Sequence, residues 1–262
     1  MEPSYFVINS SVVNVYSEPN FRSAVISQAL LGESCALLED DGNWVRVRQW
    51  DDYEGWINRF HGVVSDDEYG PVMTVLDMHG AVTAMDDDNV IREMVFGDKI
   101  VVNSIQRESR VTLPDGTKGR TTVELGHFTA KATRENILLW ARRFTGIPYL
   151  WGGTSIKGFD CSGFVQTVFR IVGIHLPRDA YQQAVNEKLY PTTLAEAQPG
   201  DLLFFGSDNH IAHVAIATGG KGIIHAQGWV KEDTLDEAQS DVNEELRKLL
   251  ISVMTIQQLI ES

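Results

Sequence analysis

Cys161 is the side chain best placed in this sequence to act as a nucleophile. It is one of two cysteines, and the apolar residues that follow it repeat with the spacing of a buried helix face: Phe164, Val165, Val168, Phe169 and Val172. The pattern predicts that Cys161 lies at or just before a helix N-terminus, with Asp160 and Ser162 as natural caps. Unpaired backbone N–H groups and the positive end of the helix dipole would then lower the pKa of the thiol. The alternative is a packed and inert cysteine.

A cysteine nucleophile needs a base, and the base needs a partner that orients it. His213 and His225 lie on two predicted strands, 211–218 and 222–227. If the connection between them has three residues, Thr218 pairs with Gly222 and the two imidazoles become diagonal neighbours on one face of the sheet. A connection of two or four residues would place the imidazoles on opposite faces. The register of this hairpin therefore decides whether the two histidines can work together.

A metal site is the other chemistry that these residues could support. Cys161, His213 and His225 could all bind zinc, but no fourth ligand and no Cys-x-x-Cys pair accompanies them. The run Asp86-Asp87-Asp88 lacks the spaced oxygen ligands of a calcium loop and is predicted to be solvated. His210, next to a predicted turn, is expected at the surface. We therefore expect no metal and no other cofactor.

The composition restricts the partners of the protein. The chain has 262 residues, with 36 acidic against 22 basic side chains and a net charge of −14. Binding to nucleic acid or to an anionic membrane is therefore not expected, because both need basic surfaces. The N-terminal stretch lacks the basic and apolar regions of a signal peptide, and no run approaches the roughly 18 apolar residues of a membrane span. We expect a cytoplasmic monomer with reduced thiols, unless a signal peptide was removed.

Short β-rich runs separated by turns fill the N-terminal half of the chain. Asp40-Asp41-Gly42-Asn43 is typical of a hairpin turn. Gly32-Glu33 is echoed 65 positions later by Gly97-Asp98. These patterns predict two small β-barrels, over residues 1–65 and 66–128, of which the second is a degenerate copy of the first.

The C-terminal half is predicted to mix helices with buried strands. Apolar periodicity predicts a helix over residues 132–145, and a strand bounded by glycines is predicted over 200–206. An acidic and helical stretch is expected from Asp236 onward. We therefore predict an α+β protein in which a catalytic domain over residues 129–262 follows the two barrels.

Six short motifs, in order along the chain, resemble those of a known family: Tyr149-Leu150-Trp151-Gly152-Gly153, Asp160-Cys161-Ser162-Gly163, Leu176-Pro177-Arg178, Pro199-Gly200-Asp201-Leu202, His213-Val214-Ala215-Ile216 and Ile224-His225-Ala226. Together they look like the NlpC-type cysteine peptidases of bacterial cell-wall metabolism. The resemblance covers about residues 132–230 and implies a papain-like core, with helices packed on an antiparallel sheet. The two predicted barrels resemble bacterial SH3-like domains. Paired SH3-like domains ahead of such a core resemble the subgroup of γ-D-glutamyl-L-diamino acid endopeptidases.

The resemblance implies a role for each matching residue. Cys161 would attack the amide carbon, His213 would act as general base and then as acid, and His225 would orient His213. Backbone N–H groups near Cys161 would contribute to an oxyanion hole. The ammonium of a free N-terminal L-Ala on the substrate would be held by residues beside the nucleophile and in the first SH3-like domain: Asp160, Ser162, Tyr149, Trp151, Tyr53 and Glu33. Arg178 would either meet a substrate carboxylate or hold the fold.

The function implied by this resemblance is hydrolysis of the γ-D-glutamyl–diamino acid bond of murein peptides, in peptidoglycan turnover or recycling. The diamino acid could be meso-diaminopimelate or lysine. Two alternatives stay open. An amidase or acyltransferase of the same fold could act on another γ-glutamyl or lipid amide, or the protein could be a catalytically idle wall-binding protein.

Overall fold

The structure is a computed structural model and describes residues 4–208 and 210–260. The chain divides into two compact units, one up to His127 and one from Phe128 onward. Within the described residues no helix is long and apolar enough to cross a membrane.

The first unit begins with a seven-stranded antiparallel sheet. Its strands are β1 (Tyr5–Ile8), β2 (Val12–Tyr16), β3 (Val25–Leu30), β4 (Ser34–Asp41), β5 (Trp44–Arg48), β6 (Glu54–Asn58) and β7 (Gly62–Ser65), with a short 3-10 turn over Arg59–His61. They are hydrogen-bonded in the order β3-β2-β6-β5-β4-β1-β7. The predicted hairpin is confirmed, because Asp41 pairs with Trp44 across Gly42 and Asn43. Gly42 has a φ of 64°, which a glycine adopts without strain.

A second seven-stranded sheet repeats this architecture. Its strands are β8 (Val72–Val75), β9 (His79–Thr83), β10 (Val90–Val95), β11 (Lys99–Ser104), β12 (Ser109–Thr112), β13 (Lys118–Thr121) and β14 (Leu125–Gly126). Their order, β10-β9-β13-β12-β11-β8-β14, is that of the first sheet with seven added to each number. The predicted duplication is therefore confirmed at the level of topology.

The repeated glycine–acid pair has the same local role in both copies. Glu33 accepts the backbone N–H of Leu30 at 3.1 Å, and Asp98 accepts that of Val95 at 2.8 Å. Each carboxylate thus braces the turn that it follows. Asp98 also accepts the N–H of Leu31 at 3.2 Å, so a buried carboxylate of the second copy joins the two sheets within this unit.

The second unit contains five helices and eight strands among its described residues. The helices are α1 (Arg134–Arg143), α2 (Cys161–Ile171), α3 (Ala180–Ala184), α4 (Glu244–Lys248) and α5 (Gln257–Ile260). The strands are β15 (Thr154–Ser155), β16 (Gly158–Phe159), β17 (Tyr190–Thr192), β18 (Leu202–Ser207), β19 (His210–Gly219), β20 (Gly222–Gln227), β21 (Trp229–Thr234) and β22 (Leu250–Thr255).

Six of these strands form the main sheet, in the order β17-β22-β18-β19-β20-β21, and all of the pairings are antiparallel. Helix α2 packs on β19 and β20. A β-rich unit followed by helices on an antiparallel sheet confirms the α+β prediction. The acidic tail is less helical than predicted, since only Glu244–Lys248 forms a helix there. A parallel bridge between Thr234 and Val242 instead holds the chain after Asp236 against β21.

Candidate active site

Helix α2 places Cys161 at its first position, as the sequence predicts. Asp160 is the N-cap, and its Oδ1 accepts the backbone N–H of Gly163 at 2.6 Å. The helix start lies tightly against the preceding loop. A Cβ added at Gly163 would lie 2.2 Å from the carbonyl oxygen of Gly153, so only glycine permits this approach. The loop and the helix start therefore fix the position of the thiol together.

Asp160 is the centre of a buried hydrogen-bond network. Arg178 binds it through two N–H groups, with Nη1 at 3.0 Å from Oδ1 and Nη2 at 2.5 Å from Oδ2. Gly152 N–H and the hydroxyl of Ser162 donate to the same carboxylate at 3.0 and 3.3 Å. Its negative charge is therefore already compensated, which weakens the case for Asp160 as the partner of a substrate ammonium.

Arg178 is 1% exposed and binds the side chains of Asp160 and Ser162, the two residues that flank the nucleophile. Its Nη1 donates to the hydroxyl of Ser162 at 3.0 Å, in addition to the two bonds to Asp160. Of the two roles that the resemblance allows, these contacts favour holding the fold. A substrate carboxylate could reach Arg178 only if Asp160 gave up its partner.

The environment of the Cys161 thiol differs from the prediction. Burial and the charge of Asp160 raise its pKa, and the backbone N–H groups of Val214 and Ser162, with Arg178, offset this only in part. The predicted lowering of the thiol pKa by the helix dipole is therefore wrong for the unliganded protein. The reason is that a side chain only 7% exposed loses the hydration of its charged form. The cysteine is neutral until a neighbouring base takes its proton.

His213 and His225 lie side by side, as the predicted register requires. Nε2 of His213 is 2.9 Å from Nδ1 of His225, and the rings meet edge to face with their centroids 5.1 Å apart. The contact of the Val214 N–H with Cys161 brings the thiol to the residue next to His213 on β19. The structure thus brings together the three residues that the sequence singled out.

The hairpin achieves this register in a way that the sequence did not predict. Ile216 pairs with Ile224 and Ala217 with Ile223, the register expected for a three-residue connection. Gly222, however, pairs with Gly219 rather than Thr218, so the connection is the two-residue turn Gly220-Lys221 and Thr218 lies at a bulge. Both turn residues have positive φ, which suits a tight hairpin turn. The turn is one residue shorter than predicted, and the bulge at Thr218 places one extra residue in β19. The two changes cancel, so both histidines stay on one face of the sheet.

Both imidazoles are held neutral. Burial lowers the pKa of His213, and the neighbouring His225 adds to the effect. Burial also lowers the pKa of His225, with Lys231 acting in the same direction and Asp233 opposing it. In the unliganded protein the thiol of Cys161 and both imidazoles are therefore neutral. The thiolate forms together with an imidazolium when the proton moves from Sγ to the histidine.

The lowered histidine pKa values predict that acid destabilises the protein. An unfolded histidine takes up a proton at about pH 6.5, whereas the folded pair does so only at lower pH. The unfolded state then binds more protons, so stability is complete above this pH and falls as the pH drops below it. Urea unfolding at pH 7.5, 6 and 5 should show this loss, and His213→Leu should make the slope shallower. His210→Gln, at an exposed position, should leave the slope unchanged. Equal slopes for all three proteins would contradict the assignment.

The structure adds Asp233 to the site, a residue that the sequence reasoning missed. Its Oδ2 is 3.2 Å from Nε2 of His225 and accepts the side-chain N–H of Asn243 at 2.8 Å. Burial pushes the pKa of Asp233 upward, but the hydrogen bonds from Asn243 and His225 and the charge of Lys231 outweigh it and lower the pKa. The signal was available: a second hairpin at Gly228 makes Asp233 a diagonal neighbour of His225, since Ile223 pairs with Asp233.

A cavity of about 300 Å³ opens beside His213. Tyr149, Phe205, Gln227, Leu246 and Leu249 line it together with His213. Burial, Cys161 and Asp160 raise the pKa of Tyr149 to about 12, so its hydroxyl is a neutral donor there. The lining carries no charged side chain. A substrate group bound in this cavity would be positioned mainly by apolar contact.

Three further residues were predicted to contact the substrate: Trp151, Glu33 and Tyr53. Trp151 is 70% exposed, so its ring is available to a ligand. Glu33 and Tyr53 belong to the first unit. There Glu33 is buried and braces its own turn, and Tyr53 follows a turn in which its N–H donates to Asp51 at 3.2 Å. Contact of Trp151, Glu33 and Tyr53 with the substrate stays a prediction. Among the described residues no group of three or more His, Cys, Asp or Glu could hold a metal ion.

Comparison with known proteins finds a family match within each unit. Residues 146–245 match the NlpC/P60 family, and residues 11–62 match the bacterial SH3 domain. A solved structure of an NlpC/P60 family protein from Bacillus cereus ATCC 10987 superimposes with a TM-score of 0.80 at 22% identity. The match covers 95% of this chain and 98% of that one, which shows a shared fold.

Two curated relatives carry the same name, gamma-D-glutamyl-L-lysine dipeptidyl-peptidase. The one from Bacillus cereus (strain ATCC 10987 / NRS 248) is 28% identical over 76% of this chain and 66% of its own length. The one from Bacillus subtilis (strain 168) is 29% identical over 78% of this chain and 73% of its own. With the buried cysteine and the paired imidazoles, these matches lead to one assignment. The chain carries a bacterial SH3 domain followed by an NlpC/P60 domain, and it is a cysteine peptidase.

Proposed function

We propose that this peptidase hydrolyses the γ-D-glutamyl–diamino acid bond of murein peptides that carry a free N-terminal L-Ala. The observation that carries the proposal is the contact of His213 with His225 beside the thiol of Cys161, because it supplies a base, its orienting partner and a nucleophile. Two Bacillus relatives are named as gamma-D-glutamyl-L-lysine dipeptidyl-peptidases. Their name supports a bond that follows a γ-D-glutamyl residue as the one that is cut.

The residues of this chain suit amide hydrolysis in two stages. His213 takes the proton of Cys161, and the thiolate attacks the amide carbon to form a tetrahedral oxyanion. The backbone N–H groups of Cys161 and Ser162 at the start of α2 have no acceptor inside the helix and would donate to that oxyanion. His213 then gives its proton to the leaving amine. Water attacks the resulting thioester with His213 again acting as base, which releases the acid and restores the thiol.

A digest of two peptides tests the substrate. L-Ala-γ-D-Glu-L-Lys should be cut between the second and third residues. Its N-acetylated form should be cut at least about 100-fold more slowly, because acetylation removes the ammonium charge and its hydrogen-bond donors, which the proposed substrate site would recognise. Mass spectrometry of the products measures both rates. Replacing lysine by meso-diaminopimelate in the same assay identifies the third residue. Equal rates for free and acetylated peptide would remove the ammonium from the proposal.

A second candidate is hydrolysis of a different γ-glutamyl amide. A gamma-DL-glutamyl hydrolase of Bacillus subtilis (strain 168) is 44% identical over 91 residues, which are 33% of this chain. Since this match is confined to a third of the chain, it favours the chemistry of the core rather than a particular substrate. Cleavage of poly-γ-glutamate without cleavage of the tripeptide would favour this candidate.

We place the proposed activity in peptide recycling in the cytoplasm. If the enzyme releases peptides from intact cross-linked sacculi, the proposed role in recycling of free peptides is wrong.

A further inference from the structure

Asp233 stands at the end of a line of hydrogen bonds that begins at the proposed base. Nε2 of His213 meets Nδ1 of His225 at 2.9 Å, and Nε2 of His225 meets Oδ2 of Asp233 at 3.2 Å. The side-chain amide of Asn243 and the ammonium of Lys231 approach the same carboxylate oxygen, at 2.8 and 3.3 Å. One oxygen therefore faces three donor groups.

The donors and acceptors along this line have only one consistent arrangement. Asn243 caps α4 through Oδ1, which accepts the N–H of Leu246 at 3.0 Å, so its NH₂ group faces Asp233. An ionised Asp233 can only accept, so Nε2 of His225 must carry a hydrogen. In a neutral His225, Nδ1 is then bare and accepts from Nε2–H of His213. That leaves Nδ1 of His213 as the free lone pair of the base.

We propose that Asp233 is a positioning residue of this active site: it fixes the tautomers of His225 and His213, and it stabilises the imidazolium that forms when Cys161 loses its proton. This inference rests on the proposed function only where the peptide substrate is concerned. The role of Asp233 in the proton transfer does not depend on which peptide is cut. Asp233 touches neither the thiol nor the substrate and acts through His225. It extends the cysteine–histidine–histidine set by a carboxylate in the same way that a carboxylate orients the base of other nucleophilic enzymes.

The charged and titratable groups around this line come from four elements. Cys161 lies on α2, His213 on β19 and His225 on β20, while Lys231 and Asp233 lie on β21. Lys231 pairs directly across from His225 and disfavours its protonation, and Asp233 favours it. Asp233 and Lys231 should therefore have opposite effects on the proton transfer from the thiol.

Alkylation of Cys161 by iodoacetamide measures this transfer without any peptide. Sγ displaces iodide from the reagent, a carbon–sulfur bond forms, and His213 receives the thiol proton. Asp233→Asn keeps an oxygen acceptor but removes the charge, so the rate at pH 7 should fall roughly 10-fold. At pH 11.5, above the pKa of about 11 to which burial raises the Cys161 thiol, hydroxide removes the thiol proton and the difference from wild type should disappear. A rate at pH 7 equal to that of wild type would overturn the proposal.

Lys231→Met should have the opposite effect on the alkylation rate, and Asp236→Asn is the matched control. Removing the Lys231 cation should raise the alkylation rate at pH 7, because an imidazolium at His225 or His213 is no longer opposed. Asp236 is also an acid that accepts from a lysine, Lys221 at 2.9 Å, but it lies outside this line. Asp236→Asn should react like wild type at both pH values. A decrease for Lys231→Met, or an equal decrease for Asp236→Asn, would indicate a general loss of structure and contradict the proposal.

Asp233→Ala tests the tautomers directly. Long-range ¹H–¹⁵N correlation spectra distinguish Nδ1–H from Nε2–H imidazoles. Wild type and Asp233→Asn should both show His225 protonated at Nε2, whereas Asp233→Ala should show a mixture. If Asp233→Ala keeps a single Nε2–H tautomer, Asp233 does not fix it and the proposal is wrong.

Peptide kinetics separate this inference from the proposed function. If the tripeptide is a substrate, Asp233→Asn should lower kcat about 10-fold with little change in KM, the pattern of a group that acts on the base and not on the substrate. If the tripeptide is not cut but the alkylation rates behave as described, the substrate is wrong and the role of Asp233 stands. If the tripeptide is cut and the alkylation rates are insensitive to Asp233, the role of Asp233 is wrong and the substrate stands.

Discussion

Cys161→Ala is expected to abolish peptide hydrolysis and to leave substrate binding intact. Without Sγ no thioester can form, and removal of a nucleophile from such a catalytic set costs on the order of 10⁴- to 10⁶-fold in kcat. Binding should persist because the cavity beside His213 is lined by other side chains. Product formation by mass spectrometry measures the first effect, and calorimetric titration of the uncut peptide measures the second.

Cys35→Ala is the matched control for this experiment. Cys35 is the other free cysteine of the described residues, and it is buried in the core of the first sheet with Phe6, Val15 and Val47. Burial and the charge of Glu33 raise the pKa of its thiol. It should therefore neither react with iodoacetamide nor contribute to turnover. Loss of activity in Cys35→Ala with retention in Cys161→Ala would reverse the assignment of the nucleophile.

Arg178→Met is expected to destabilise the second unit strongly. Arg178 and Asp160 form a buried bidentate pair, and a methionine would leave the carboxylate without its counter-charge. Breaking a buried ion pair from one side costs about 3–5 kcal/mol. Urea unfolding followed by near-ultraviolet circular dichroism should show the loss. Arg178→Lys should recover only part of it, because an ammonium cannot make the two parallel bonds.

The exposed pair of Arg142 and Glu232 offers the comparison. These side chains lie 2.7 Å apart, but each is about half exposed. Arg142→Met should cost less than about 1 kcal/mol, since solvent screens such a pair. If Arg178→Met and Arg142→Met destabilise the protein equally, the buried pair of Arg178 and Asp160 does not stabilise the start of α2 in the way that we describe.

Local patterns explain why much of the site could be predicted from the sequence. The apolar spacing after Cys161 is a property of one helix, and α2 begins at that residue with Asp160 as its cap. The two histidines could be placed on one face because a strand alternates with a period of two. The repeat of Gly32-Glu33 in Gly97-Asp98 likewise reflects a local need, namely a carboxylate that braces its own turn.

The features that were missed depend on contacts between distant segments. Thr218 bulges because the Gly220-Lys221 turn is one residue shorter than expected, and only the paired strands reveal this. The raised thiol pKa of Cys161 follows from burial by the whole unit, which a dipole argument on one helix cannot include. The hairpin at Gly228 already places Asp233 near His225, but the hydrogen bond from Asn243 to Asp233 depends on a segment that returns only at the start of α4.

The position of β22 in the sheet has a consequence for how the protein is made. β22 lies between β17 and β18, and Leu250 follows Leu202, the first residue of β18, by 48 positions. During synthesis β18 and β17 therefore emerge from the ribosome long before the strand that joins them. β17 and β18 each have one edge that pairs with β22. Until residues 250–255 are synthesised, the backbone N–H and C=O groups along these two edges can bond only to water. The first unit closes its sheets from segments already made, so the nascent chain should acquire its β-rich half first and its peptidase last.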